Sequence, residues 1–242
     1  MYKPRLYRSQ IKSGGLVTFG VIEKETDLLI SATKNLTNEA REAILNYRKD
    51  IEEYIKEDER FHASLSPIDV KGDAPKIVKA MADASKSAGV GPMAAVAGAV
   101  AEFVGRDLLR FSEEIIIENG GDIFLRTSSK RVLGVYAGER SPFTGKVALE
   151  IEPAKEGLGV CTSSGTVSHS LSFGHADAAL IISDDTALAD AVATATGNVV
   201  KSAGDIEKGI AFAKSVSGVR GALILVGDKM GSWGNIKIAD SV

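Results

Sequence analysis

The amino-acid sequence predicts an α+β protein in which two related halves, each a helix pair with antiparallel strands, pack together. Three observations carry that prediction. Runs of apolar residues at strand length and amphipathic stretches at helix length fall into blocks, so that a helix pair followed by strands occurs twice. Two Ala-rich segments, MAAVAGAVAEFVG at residues 93–105 and TALADAVATATGN at residues 186–198, are the least charged helical stretches and hold equivalent places in the two blocks. Strict βαβ alternation is missing, which argues against a doubly wound nucleotide-binding sheet. The expected organisation is one domain over residues 1–242 with halves at about 1–110 and 111–242 and no low-complexity linker.

The elements follow in order. Residues 16–32 read as a hairpin around the charged Glu23-Lys24-Glu25-Thr26-Asp27 turn. Ala40, Ile44, Tyr47, Ile51 and Ile55 recur about once per helical turn, giving a long amphipathic helix to about Lys56 with Thr37 and Asn38 as its caps. Asp73-Ala74-Pro75 opens a second helix that stops at Gly89. A third, over residues 91–109, is built of Ala, Val and Gly with few charges and is expected to be buried nearly all round. Strands are expected at 115–117, 123–125, 132–136, 147–151, 158–161 and 178–182, helices at 186–200 and 206–216, and two last strands at 222–226 and 234–238.

Composition sets the outer limits. With 242 residues, 44% hydrophobic and 25% charged, the chain can bury a substantial core. Its net charge of -3 comes without a basic stripe, so nucleic acid is not an expected partner. The first residues, MYKPRLYRSQIKSGG, hold no apolar run of signal-peptide length, and no stretch approaches the roughly 20 apolar residues of a membrane span, so a cytoplasmic location is expected. Cys161 is the single cysteine, which fits a reducing compartment and excludes an internal disulfide.

Several constellations have chemical potential. Asp190 and Thr194 lie four residues apart on an Ala-rich helix, so both oxygens leave one face, a spacing that suits Mg²⁺ but is more often that of a solvated face on an ordinary amphipathic helix. Glu118-Asn119-Gly120-Gly121-Asp122 sits between two apolar runs. It reads as a tight Asn-Gly hairpin, or as a glycine turn whose N–H groups approach a phosphate or flavin with Asp122 as anchor. Residues 162–175, TSSGTVSHSLSFGH, crowd hydroxyls and two of the three histidines into a polar loop, beside a cleft or on a solvated hairpin. Cys161, His169 and His175 are the candidates for catalysis, with Cys161 read either as a nucleophile or as a small buried hydrophobe. His62 stands alone, and neither a G-x-S-x-G elbow nor a P-loop lysine motif is present.

Taken in order, a Gly-Ala helix, a Gly-Gly-Asp turn, a Ser-Gly loop with His and then Ala-Asp-Ala-x-x-Thr-Ala, the motifs over roughly residues 89–200 resemble the ApbE family, closest to a prokaryotic ApbE-like branch. That resemblance implies an ApbE or T-fold-like architecture, Mg²⁺ and FAD as cofactors, and transfer of FMN to a threonine or serine of an acceptor protein. It implies a metal set of Asp190, Thr194 and the main-chain carbonyl of Ala99, and a flavin site beside Gly120, Gly121 and Asp122, with Thr162, Ser163, Ser164 and Gly165 near the nucleotide. The chain departs from the family at Glu102, where a lysine is usual, and at residues 168–175, which replace a His-x-x-Asp-Pro-x-x-Gly segment. These departures bear on transfer more than on nucleotide binding. The resemblance also implies an alternative, a non-catalytic binding or carrier protein linked to sulfide assimilation in anaerobic metabolism.

Overall fold

The computed structural model describes residues 14–139, 141–165 and 174–239. The chain opens with a hairpin of β1 (Val17–Glu23) and β2 (Thr26–Ala32), then runs through α1 (Thr37–Glu57), a single turn α2 (Arg60–Ala63), α3 (Lys76–Ala88), a 3₁₀ turn at Pro92–Ala95 and α4 (Val96–Leu108). A second hairpin, β3 (Ile115–Asn119) and β4 (Asp122–Thr127), leads to β5 (Arg131–Gly134) and β6 (Ala148–Ile151). The remainder holds β7 (Ala154–Ser163), β8 (Ala178–Ser183), α5 (Thr186–Val199), a 3₁₀ turn at Ala203–Asp205, α6 (Ile206–Ser215), β9 (Val219–Val226) and β10 (Lys229–Gly234).

Eight strands join one antiparallel sheet in the order β1-β2-β3-β4-β7-β8-β9-β10, while β5 and β6 pair separately. β3 and β4, although they follow residue 110, lie beside β2, so helices α1 to α4 span the gap between two adjacent hairpins. Helices α5 and α6 do the same between β8 and β9.

Side-chain alternation assigns the two faces. Leu28, Ile30, Ile115, Ile117, Phe124, Cys161 and Ile181 point into the helix layer, where they pack with Ile44, Met81, Val104 and the alanines of α4 and α5. Ile116, Ile123, Leu125, Val160, Leu180, Ile182 and Leu223 point the other way and are covered by Leu133, Leu149 and Ile151 of the small sheet. Strands covered on both sides read as unbroken apolar runs, which is why β8 is Ala-Ala-Leu-Ile-Ile-Ser with every residue buried.

The structure differs from the sequence reading in four places. Leu36 stands at the N-cap position of α1, and the Asn35 Oδ1 takes the Thr37 N–H at 2.9 Å, so neither Thr37 nor Asn38 caps the helix. The helix expected over residues 91–109 is divided at Ala95, whose φ of -115 and ψ of 3 end the 3₁₀ turn and give α4 a new N-terminus. The closing strand lies at Lys229–Gly234 rather than at 234–238. After Gly234 the chain crosses under the sheet, where Ile236 joins the lower apolar cluster and the Lys237 carbonyl takes the Glu150 N–H at 2.8 Å. Finally, Thr162 and Ser163 belong to β7 and Ser163 and Ser164 are buried, so the first part of the expected polar loop is packed interior.

Candidate functional site

Asn119 pairs with Asp122 across the β3–β4 turn, leaving Gly120 and Gly121 as the two turn residues at φ of 69° and 107°. The tight turn is therefore Gly-Gly, one residue later than the Asn-Gly reading, because the register is fixed by the buried runs on either side. Two side chains lock it. The Glu118 Oε1 accepts the Gly121 N–H at 2.8 Å, and the Asn119 Nδ2 donates to the Ala97 carbonyl at 3.0 Å. The turn is thereby tied to the first residues of α4.

From the other side α5 descends on the same point. The Asp190 Oδ2 accepts the Gly98 N–H at 2.8 Å, and the Ala97 N–H also faces its carboxylate. Gly98 is required for this approach, since a Cβ there would lie 2.4 Å from the Thr186 carbonyl oxygen and 2.8 Å from the Asp190 Cβ. Asp190 is 9% exposed, so the reading of a solvated helix face is overturned. Thr194 follows one turn later, half-buried, and Ala99 lies wholly buried next to Gly98.

Asp122 completes the cluster. Its Oδ1 accepts the Thr162 N–H at 3.2 Å, and the Cys161 thiol lies beside its carboxylate. Burial, reinforced by the charge of Glu118, pushes the Asp122 carboxyl up to about 7. Burial and the neighbouring Asp122 charge likewise raise Asp190 well above the usual carboxylate range, against the opposing pull of the Gly98 and Ala97 amides. Two neighbouring buried carboxylates, both raised by burial, are stabilised by protons or by a cation.

Among the described residues no three His, Cys, Asp or Glu side chains are grouped as a metal site. A buried carboxylate pair of this kind is compatible with Mg²⁺, an ion usually held by one or two carboxylates together with substrate phosphates and water.

Of the remaining candidates, Cys161 adjoins this cluster. Cys161 is wholly buried, donates to the Thr186 carbonyl at 3.4 Å, and has its thiol pushed up by burial and by the Asp122 and Asp190 charges. That is the reverse of the environment that activates a nucleophile. His175 is exposed, with its N–H donated to the Val200 carbonyl at 2.9 Å, and His62 is exposed on α2. His169 lies outside the described residues. Gly165 donates its N–H to the Ala176 carbonyl at 3.0 Å.

Glu102 faces the start of α5. It is 7% exposed, its Oε2 accepts the Thr186 N–H at 2.7 Å at the start of α5, and its Oε1 accepts from the Arg106 Nε at 2.7 Å. Only the i,i+4 spacing of Glu102 and Arg106 was visible in sequence; the contact with Thr186 is not local. An open cleft of about 850 Å³, lined by Arg106, Lys155, Asp184 and Arg220 among others, lies at the opposite end of β7 from Asp122 and Asp190. No single helix among the described residues is long and apolar enough to cross a membrane.

A family profile described as AbpE bacteria matches residues 8–217. A UPF0280 protein of Methanocella arvoryzae is 41% identical over 214 residues, covering 88% of this chain and 86% of that protein. One of Methanocaldococcus jannaschii is 42% identical over 222 residues, covering 89% and 90%. The fold matches the apo flavinyl transferase ApbE of Pseudomonas stutzeri at a TM-score of 0.58 with 14% identity, covering 93% of this chain and 95% of that one. It matches the ApbE protein of Thermotoga maritima at a TM-score of 0.52 with 13% identity, covering 93% and 97%. The α+β architecture is thus that of the ApbE structures, and the chain belongs to the AbpE bacteria family together with archaeal UPF0280 proteins.

Proposed function

We propose that this protein binds a flavin nucleotide, FAD or a relative with the same pyrophosphate, through Mg²⁺ held at Asp190 and Thr194. The Ala99 carbonyl is the third protein donor in this reading. Gly120, Gly121 and Asp122 form one wall of the site, and Thr162, Ser163, Ser164 and Gly165 another. The observation that carries the reading is the buried pair Asp122 and Asp190, brought together where the N-terminal amides of α4 meet the Gly-Gly turn. The metal, when bound, supplies the positive charge that a pyrophosphate and these carboxylates both need.

Binding and transfer are separate claims. The related folds are flavin transferases, and an acceptor protein is the partner such chemistry requires. A second reading, a binding or carrier protein without transfer, draws support from Glu102, which is a buried carboxylate engaged with α5 where the resemblance implies a lysine. Cys161 takes no part in either reading, since its thiol is buried and held protonated.

Thermal unfolding distinguishes binding from its absence. Mg²⁺ with FAD at about 100 times its Kd adds about 2.7 kcal/mol of stability and raises the Tm by several degrees. Asp190→Ala removes that rise. ADP in place of FAD shows whether the flavin or the nucleotide pyrophosphate is recognised, and no rise with either in millimolar Mg²⁺ overturns the proposal.

A further inference from the structure

Helices α4 and α5 each place a carboxylate on the other's N-terminal amides. Asp190 of α5 takes the Gly98 N–H at 2.8 Å, and Glu102 of α4 takes the Thr186 N–H at 2.7 Å. The two bonds are one turn apart on each helix and run in opposite directions between them, so together they fix both the separation and the sliding of α5 along α4. Charge at a helix N-terminus adds to each bond.

Helix α5 does not depend on Glu102 to form. Asp185 already caps it, accepting the Leu188 N–H at 2.9 Å. What Glu102 adds is attachment to a neighbouring helix. Its own carboxylate is held in turn: Arg106 donates to it from one turn further along α4, and the Arg106 guanidinium lies over the Phe124 ring at 5.6 Å from the centroid. Phe124 sits two residues beyond Asp122 on β4, on the same face of the sheet. A continuous path of contacts therefore runs from the strand that carries Asp122, through Arg106 and Glu102, to the first residue of the helix that carries Asp190 and Thr194.

We infer that Glu102 is a positioning residue for the metal pair: it sets where α5 sits, and so sets the distance of Asp190 and Thr194 from Asp122 and the Gly-Gly turn. A displacement of the order of 1 Å in such a constellation is enough to spoil it. The inference rests on the reading of Asp190 and Thr194 as metal ligands.

Manganese, read by electron paramagnetic resonance, serves as the probe. Wild type binds one Mn²⁺ and Asp190→Ala does not. Glu102→Ala binds it about tenfold or more weakly, in the range found when groups supporting metal ligands are removed, while remaining folded by circular dichroism. Glu102→Gln, whose amide oxygen still accepts the Thr186 N–H, restores affinity close to wild type. Hydrogen exchange at Thr186 is measured in parallel, and accelerates in Glu102→Ala but much less in Glu102→Gln.

A Glu102→Ala protein that binds Mn²⁺ as wild type does overturns the positioning role, even if its Tm falls. Failure of wild type to bind Mn²⁺ overturns the metal reading instead, together with any role of Glu102 toward a metal. Unchanged exchange at Thr186 in Glu102→Ala overturns the clamp itself, whatever the metal result.

Discussion

Asp190 of α5 accepts the backbone N–H of Gly98 at 2.8 Å, so a side chain from one Ala-rich helix closes onto the N-terminus of the other. The contact exists because position 98 lacks a side chain. Gly98→Ala places a Cβ 2.4 Å from the Thr186 carbonyl oxygen, which the helices relieve only by moving apart. The expected loss is about 1–3 kcal/mol, the range for overpacking, despite the better helix propensity of alanine. Urea unfolding measures it, and a variant as stable as wild type contradicts the packing described for α4 and α5.

Asp122 makes the metal-free protein sensitive to pH. Its carboxyl titrates at about 7 in the folded chain against a usual value of 3.8, so between those limits the folded state holds a proton that the unfolded state has lost. Stability of the metal-free protein therefore falls as pH rises from about 4 to about 7, and Asp190, raised in the same sense, adds to the fall. Asp122→Asn keeps the shape without the charge and flattens the slope. Urea midpoints in EDTA at about pH 5 and about pH 7.5 make the comparison; a wild type that gains stability across that interval contradicts the assignment.

Cys161 is expected to be chemically silent in the native state. Its thiol is 0% exposed and burial holds it protonated, so iodoacetamide labels it only on unfolding. Cys161→Ala removes the sulfur from a packed position and costs about 1–2 kcal/mol, with flavin nucleotide binding retained. Rapid native labelling at neutral pH contradicts this placement.

What the sequence made legible follows physical locality. β3 and β8 were readable because both of their faces are covered, which forces unbroken apolar runs. The turn before Asp122 was readable because glycines tolerate its positive φ, although only the pairing of Asn119 with Asp122 fixes which residues turn. Spacing put Asp190 and Thr194 on one face of a helix but left open whether that face meets water or the core. The answer came from Gly98, 92 residues away.

The role of Glu102 was not legible for the same reason, since its partner Thr186 is 84 residues distant. The last strand was misplaced because Ile236 and Ile238 alternate like a strand, yet Ile236 packs beneath the sheet while the true edge strand is polar and glycine-rich.

The proposed binding of Mg²⁺ and a flavin nucleotide at Asp190 and Thr194 is measurable in solution. Isothermal titration of FAD into the protein with millimolar Mg²⁺, repeated in EDTA and with Asp190→Ala, tests it directly. Saturable one-to-one binding that needs Mg²⁺ and is lost in the variant is the expected result. FAD binding of equal affinity in EDTA, or binding that Asp190→Ala leaves intact, contradicts it.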